Sequence, residues 1–262
     1  MGKRILTTIV GLPILFYILT KGSHLLTLSL MTVSIIGLHE FYHCARQGGF
    51  NPVAWTGYSG TGILYIGFFL VNGGTAQQIA IPMTLVILLV VWVIHHKTVQ
   101  MQDTLITWFG FIYVAVLLYQ MLLIEELLMP HALWLVFIIS WGCDSGAYLT
   151  GYAMGRRKLC PSISPKKTVE GAVGGIVGSM LGCLIFSKLL MPDHLPAFLL
   201  LGCLGAIVSQ FGDLSASLIK RTVGIKDFGR LFPGHGGILD RFDSILLTAP
   251  FVYLFLKILI LR

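Results

Sequence analysis

Three aspartates, Asp213, Asp240 and Asp243, stand in or beside strongly apolar runs, with Lys220, Arg221, Lys226, Arg230 and Arg241 among them. An ionised Asp near the centre of a bilayer costs about 2.5–3.5 kcal/mol, so acids gathered in apolar helices serve ions, substrates or one another. Asp213 precedes Lys220 by two helical turns, about 10 Å along an axis, and Ser217 lies on its face at i+4. Asp240 and Asp243 share a face in the same way. If the two helices are neighbours, three carboxylates converge. Hard oxygen ligands of this kind suit Mg²⁺, which takes one or two carboxylates together with phosphates and waters. The bland alternative is an ion-pair network that neutralises Lys220, Arg221 and Arg241. The density of acids favours the metal.

Other polar segments add to this set. Pro233-Gly234-His235-Gly236-Gly237 precedes the last apolar run, where glycines allow close approach and a helix N-terminus offers N–H groups to a phosphate. Lys226 and Arg230 would flank that phosphate, and His235 would donate to it or shape the loop. A second basic segment, Ser164-Pro165-Lys166-Lys167-Thr168-Val169-Glu170-Gly171, has two lysines for phosphate and a Thr168 suited to cap the next helix. Asp144 falls late in another apolar run, for metal, water or a lysine; a helix–helix hydrogen bond is its structural alternative. His39-Glu40-Phe41-Tyr42-His43 has zinc-protease spacing. No third ligand motif accompanies it, and a protease would leave residues 212–243 without a task.

The elements that position these groups are membrane helices. The chain has 262 residues, 56% hydrophobic and 11% charged, against about 25% charged in soluble domains. Runs near 5–20, 23–42, 55–71, 77–95, 105–124, 131–151, 171–191, 197–219 and 237–260 are each close to the length of one crossing. The expectation is an all-α, polytopic integral membrane protein of about nine transmembrane helices. Residues 1–130 would form a scaffold with dimer contacts and 131–262 would carry the site, within one membrane domain. Pro82, Pro130, Pro192 and Pro196 fall near the expected helix ends, and residues 152–170 read as a loop. With a cytoplasmic N-terminus, only Lys21, Lys188, Lys257 and Arg262 of the 18 Lys and Arg fall outside, as the positive-inside rule requires. Every candidate site segment then faces the cytoplasm. The net charge of +7 is explained by this bias and by anionic headgroups, not by nucleic acid. Five cysteines without CxxC spacing read as packing residues.

The order Ser217-x-x-Lys220-Arg221, Lys226-Asp227, Pro233–Gly237, Asp240-Arg241-Phe242-Asp243 resembles the signature of the phosphatidate cytidylyltransferases (CDP-diacylglycerol synthases). Ser164–Gly171 and Asp144-Ser145-Gly146-Ala147-Tyr148 resemble two further family elements. The chain departs at Ala216, where many members carry an acid. The resemblance implies Mg²⁺-dependent cytidylyl transfer from CTP to phosphatidate, an early step of phospholipid biosynthesis, in an inner (plasma) membrane homodimer. It implies catalytic roles for Asp144, Asp213, Lys220, Arg221, Lys226, Asp240 and Asp243. Metal would be held by Asp213, Asp240 and Asp243, with a second cation allowed by two-ion phosphoryl chemistry. Substrate would meet Ser164, Lys166, Lys167, Ser217, His235, Gly236, Gly237 and Arg241. The rival readings are a CTP-dependent lipid-alcohol kinase and a membrane transporter.

Overall fold

The computed structural model describes residues 2–127, 129, 131–231 and 236–260. It divides into two compact units, one of residues 1–126 with 222–242 and the other of residues 127–221 with 243–262. The chain is dominated by helices: α1 (Gly2–Lys21), α2 (Ser23–Gln47), α3 (Ala54–Leu70), α4 (Gly73–Ile94), α5 (Met101–Gly110), α6 (Leu117–Glu125), α7 (Trp134–Met154), α8 (Val169–Leu190), α9 (Leu195–Thr222) and α10 (Leu239–Phe255). Among the described residues five helical segments are long and apolar enough to cross a membrane: His24–Gln47, Gly73–Ile94, Met101–Glu125, Val169–Leu190 and Pro192–Thr222. The protein is thus polytopic.

In the first unit, α2, α3, α5 and α6 enclose a core of Leu38, Phe41, Tyr42, Leu64, Tyr65, Phe111, Leu118 and Tyr119. A π-helical turn at Phe111–Val116 joins α5 to α6. Lipid tails are as apolar as leucine, so helices in a bilayer are held by close packing and hydrogen bonds. The buried phenols supply such bonds. Tyr42 donates to the Thr107 carbonyl at 2.9 Å, Tyr119 donates to the Gly73 carbonyl at 3.0 Å, and Ser34 and Tyr65 share a bond of 2.8 Å. Glu126 accepts the Gly73 N–H at 2.7 Å and Asn72 accepts that of Thr75 at 2.8 Å, fixing the start of α4. This start lies earlier than the hydropathy suggests, so Pro82 falls inside α4 and not at its end.

In the second unit α7 and α8 pack closely over most of their length. Their contact is lined by glycines four residues apart, Gly142 and Gly146 on α7 and Gly174, Gly178 and Gly182 on α8. A Cβ on Gly146 would collide with the Gly174 carbonyl, and one on Gly178 with the Gly142 carbonyl. The backbones therefore touch, the arrangement that small-xxx-small spacing permits. The segment expected as a loop contains a short antiparallel hairpin, β1 (Lys158–Cys160) with β2 (Ser164–Thr168), pairing Lys158 with Thr168 and Cys160 with Ser164. The chain is all-α apart from this short hairpin among the described residues. Hydropathy registers spans, and a polar two-stranded ribbon leaves no such mark.

Because carbonyl oxygen cannot move aside as a side chain can, Gly178→Ala is expected to destabilise the protein by about 1–3 kcal/mol. Gly62, whose Cβ position is open, is the control: Gly62→Ala should leave stability equal or slightly higher. Thermal unfolding in detergent measures both.

Candidate active site

Around Asp213 the second unit gathers charge. Thr168 ends β2 and caps α8 by accepting the Gly171 N–H at 3.1 Å. Glu170, in the first turn of α8, accepts the Arg156 N–H at 3.0 Å and the Arg157 N–H at 3.2 Å. The hairpin is thereby fastened at its base, and Lys166 and Lys167 on β2 border a cavity of about 360 Å³ together with Asp144, Tyr148 and Tyr152 of α7 and Gln210 of α9. Lys167 forms an ion pair with Asp213. Gln210 donates to the Ala172 carbonyl of α8 at 3.1 Å, tying α9 to α8 beside the cavity.

Asp243 belongs to the same neighbourhood. A Cβ on Gly212 would stand 2.8 Å from the Asp243 carbonyl, so the α9 and α10 backbones touch one residue away from Asp213. The charges of Asp213, Lys220 and Asp144 all act on Asp243, whose carboxylate also accepts the Ser244 N–H at 2.7 Å. Lys220 is buried, whereas Arg221 is exposed. Ser217 is half-buried, and Ala216 beside it has no exposed surface. Three acids expected to take part, Asp144, Asp213 and Asp243, are therefore brought into one electrostatic group with Lys167 and Lys220. Among the described residues no three His, Cys, Asp or Glu are gathered tightly enough to hold a metal without other ligands. Mg²⁺ does not require that, since phosphates and waters complete its shell.

The first unit holds the remaining candidates. Lys226 and Arg230 follow α9 and border a cavity of about 660 Å³ with His43 and Gln47 of α2. Asp240 accepts the Phe228 N–H and the Gly237 N–H on one oxygen, both at 2.9 Å, drawing two parts of the loop together. Gly236, at φ +79°, makes the left-handed turn between them. The N–H groups of Ile238 and Leu239, at the start of α10, go to Glu40 at 3.0 and 2.9 Å. Of the loop and helix-start N–H groups that suit a phosphate, those of Gly237, Ile238 and Leu239 go to carboxylates of the chain. An anion already formed by the chain competes for the same positive helix end. Arg241 is exposed on α10, and His235, with Pro233 and Gly234, lies outside the described residues.

Glu40 is the residue that site reasoning from sequence missed. In sequence it stands at the centre of a zinc-like spacing and, by family resemblance, as a Glu of the second helix with two incidental histidines, without assignment to the site; those histidines have separate partners. His43 bonds Gln47 at 3.0 Å, and His39 meets the Tyr58 hydroxyl at 3.4 Å. The available signal was an acid in the body of an apolar helix with no Lys or Arg at i±3 or i±4.

Known proteins share this arrangement of sequence. A phosphatidate cytidylyltransferase of Bacillus subtilis is 32% identical over 269 residues, covering 98% of each chain. One from Synechocystis is 32% identical over 290 residues, covering 98% of this chain and 97% of its own. One from Haemophilus influenzae reaches 42% identity over 129 residues, 46% of this chain and 45% of its own. The profile of the cytidylyltransferase family matches residues 2–259. With agreement over nearly its whole length, the chain belongs to the cytidylyltransferase family.

Proposed function

We propose that this protein transfers the cytidylyl group of CTP to phosphatidate, giving CDP-diacylglycerol and pyrophosphate. Full-length similarity to phosphatidate cytidylyltransferases supports the reaction class. The observation that carries the site assignment is the grouping of Asp144 on α7, Asp213 and Lys220 on α9 and Asp243 at the start of α10, with Lys167 paired to Asp213.

A phosphate-monoester oxygen of phosphatidate attacks the α-phosphorus of CTP. The new P–O bond forms as the bond to the β-phosphate oxygen breaks, and pyrophosphate leaves with that electron pair. The monoester has a second pKa near 6, so it is largely a dianion at neutral pH and needs no general base. The protein's work is positioning and offsetting charge. Lys166 and Lys167 hold phosphate oxygens as point charges, and Lys220, buried next to the carboxylates, fixes their orientation. Asp213 and Asp243 would hold Mg²⁺, because clustered hard oxygens match its preference and leave room for phosphate ligands. Bound there, the ion would offset the negative charge of the triphosphate. Asp240 acts on the loop through the N–H groups of Phe228 and Gly237.

Nine crossings with the N-terminus and the site on the cytoplasmic side fit the distribution of Lys and Arg. CTP would arrive from the cytosol while the acyl chains stay in the bilayer of the plasma membrane. A homodimer accords with the family resemblance.

Purified protein given CTP, phosphatidate and Mg²⁺ should release pyrophosphate and CDP-diacylglycerol, and chelation should stop it. Release of CDP would mean lipid phosphorylation and would overturn the reading. Asp213→Asn and Asp243→Asn should each lower kcat/KM about 10²–10³-fold, and wild-type turnover in either would reject the metal assignment. The Lys167–Asp213 pair gives a separate test in stability. Lys167→Met and Asp213→Asn should cost less together than the sum of the two, with a coupling of about 0.5–3 kcal/mol in a thermal double-mutant cycle.

A further inference from the structure

Glu40 sits on α2, nearly 200 positions before the residues it holds, and 6% of its surface is exposed. Its carboxylate takes the first N–H groups of α10, from Ile238 and Leu239. It is also pressed from two sides, since a Cβ on Gly229 or on Gly237 would collide with the carboxylate. One side chain therefore fixes both ends of the segment after Arg230. Along α2, Glu40, His43 and Gln47 follow one another at helical spacing and share a face. His43 and Gln47 border the 660 Å³ cavity with Lys226, Asp227 and Arg230. The face of α2 that anchors the loop is continuous with the wall opposite its cations.

A cavity of this size, open to solvent and bearing Lys226 and Arg230, suits an anionic ligand as large as a nucleotide. Both cations are on exposed, long side chains, whose aim depends on where the backbone beneath them is held. We propose that Glu40 is a positioning residue for the nucleotide triphosphate: by fixing Gly229 and Gly237–Leu239 it sets Lys226 and Arg230 toward the phosphates of CTP. The proposal rests on the cytidylyltransferase reading and deepens it. The negative charge matters as well as the shape. A carboxylate accepts both N–H groups in charge-assisted bonds and matches the helix dipole. A glutamine keeps one acceptor and turns an NH₂ toward the other N–H.

The test compares wild type with Glu40→Gln and Gly229→Ala, the second disturbing the same contact from the loop side. Hydrogen exchange is read over residues 225–231 and 236–242 of the full chain in detergent. Steady-state kinetics are read with CTP and phosphatidate varied separately. Both variants should exchange faster in those two segments. Their KM for CTP should rise about tenfold, the worth of a charge-assisted hydrogen bond, with KM for phosphatidate within about twofold of wild type. A role confined to stability would lower the unfolding temperature and leave KM for CTP unmoved, and that result overturns the proposal. Unchanged exchange in both segments overturns it too. A wild-type protein without turnover would sink the cytidylyltransferase reading itself, while the exchange comparison would still decide whether Glu40 holds the loop.

Discussion

A carboxylate removed from water must find compensation in fixed positive charge or in N–H groups, because the uncompensated ion costs several kcal/mol. This requirement governs the less exposed acids among the described residues. Asp213 is matched by Lys167. Glu40 and Asp240 are matched by backbone N–H groups around the start of α10. Asp103, also buried, accepts the Asn51 N–H at 2.6 Å, while the more exposed Glu126 and Glu170 accept N–H groups at the start of α4 and at the base of the hairpin. Each acid thereby joins stretches of chain that local propensity alone would leave independent.

Such exact pairing depends on how closely the helices approach. In the second unit the glycines of α7 and α8 let backbone meet backbone, and Gly212 does the same for α9 against α10. A Cβ at Gly146, Gly178 or Gly212 would stand under 3.0 Å from a backbone carbonyl of the neighbouring helix, so those helices would have to shift. The same closeness brings Asp144 on α7 and Asp213 on α9 within range of Asp243 on α10. Helix packing therefore sets the spacing of the chemistry, and the lysines come to it from the hairpin and from the end of α9.

The site was legible in sequence to different depths. Asp213, Asp243 and Lys220 stood out because charge in an apolar helix is costly, and the structure groups them. The glycine-rich segment before α10 looked like a phosphate site, since its residue types match one. The competing carboxylates of Glu40 and Asp240 are invisible in the segment itself: one of them lies on α2. The α7–α8 contact carried its own signal, the four-residue spacing of Gly142, Gly146, Gly174 and Gly178, which a search for chemistry passes over.

By itself the sequence determined that the chain is a polytopic membrane protein with polar chemistry concentrated after residue 140, because hydropathy and the cost of buried charge are local properties. The tertiary structure decided which acids act on one another and which hold backbone. It also decided that residues 158–168 form a hairpin and that Glu40 belongs to the loop before α10. These outcomes depend on contacts between distant segments, and a hydrogen bond spanning almost 200 residues leaves no trace in the spacing of either partner.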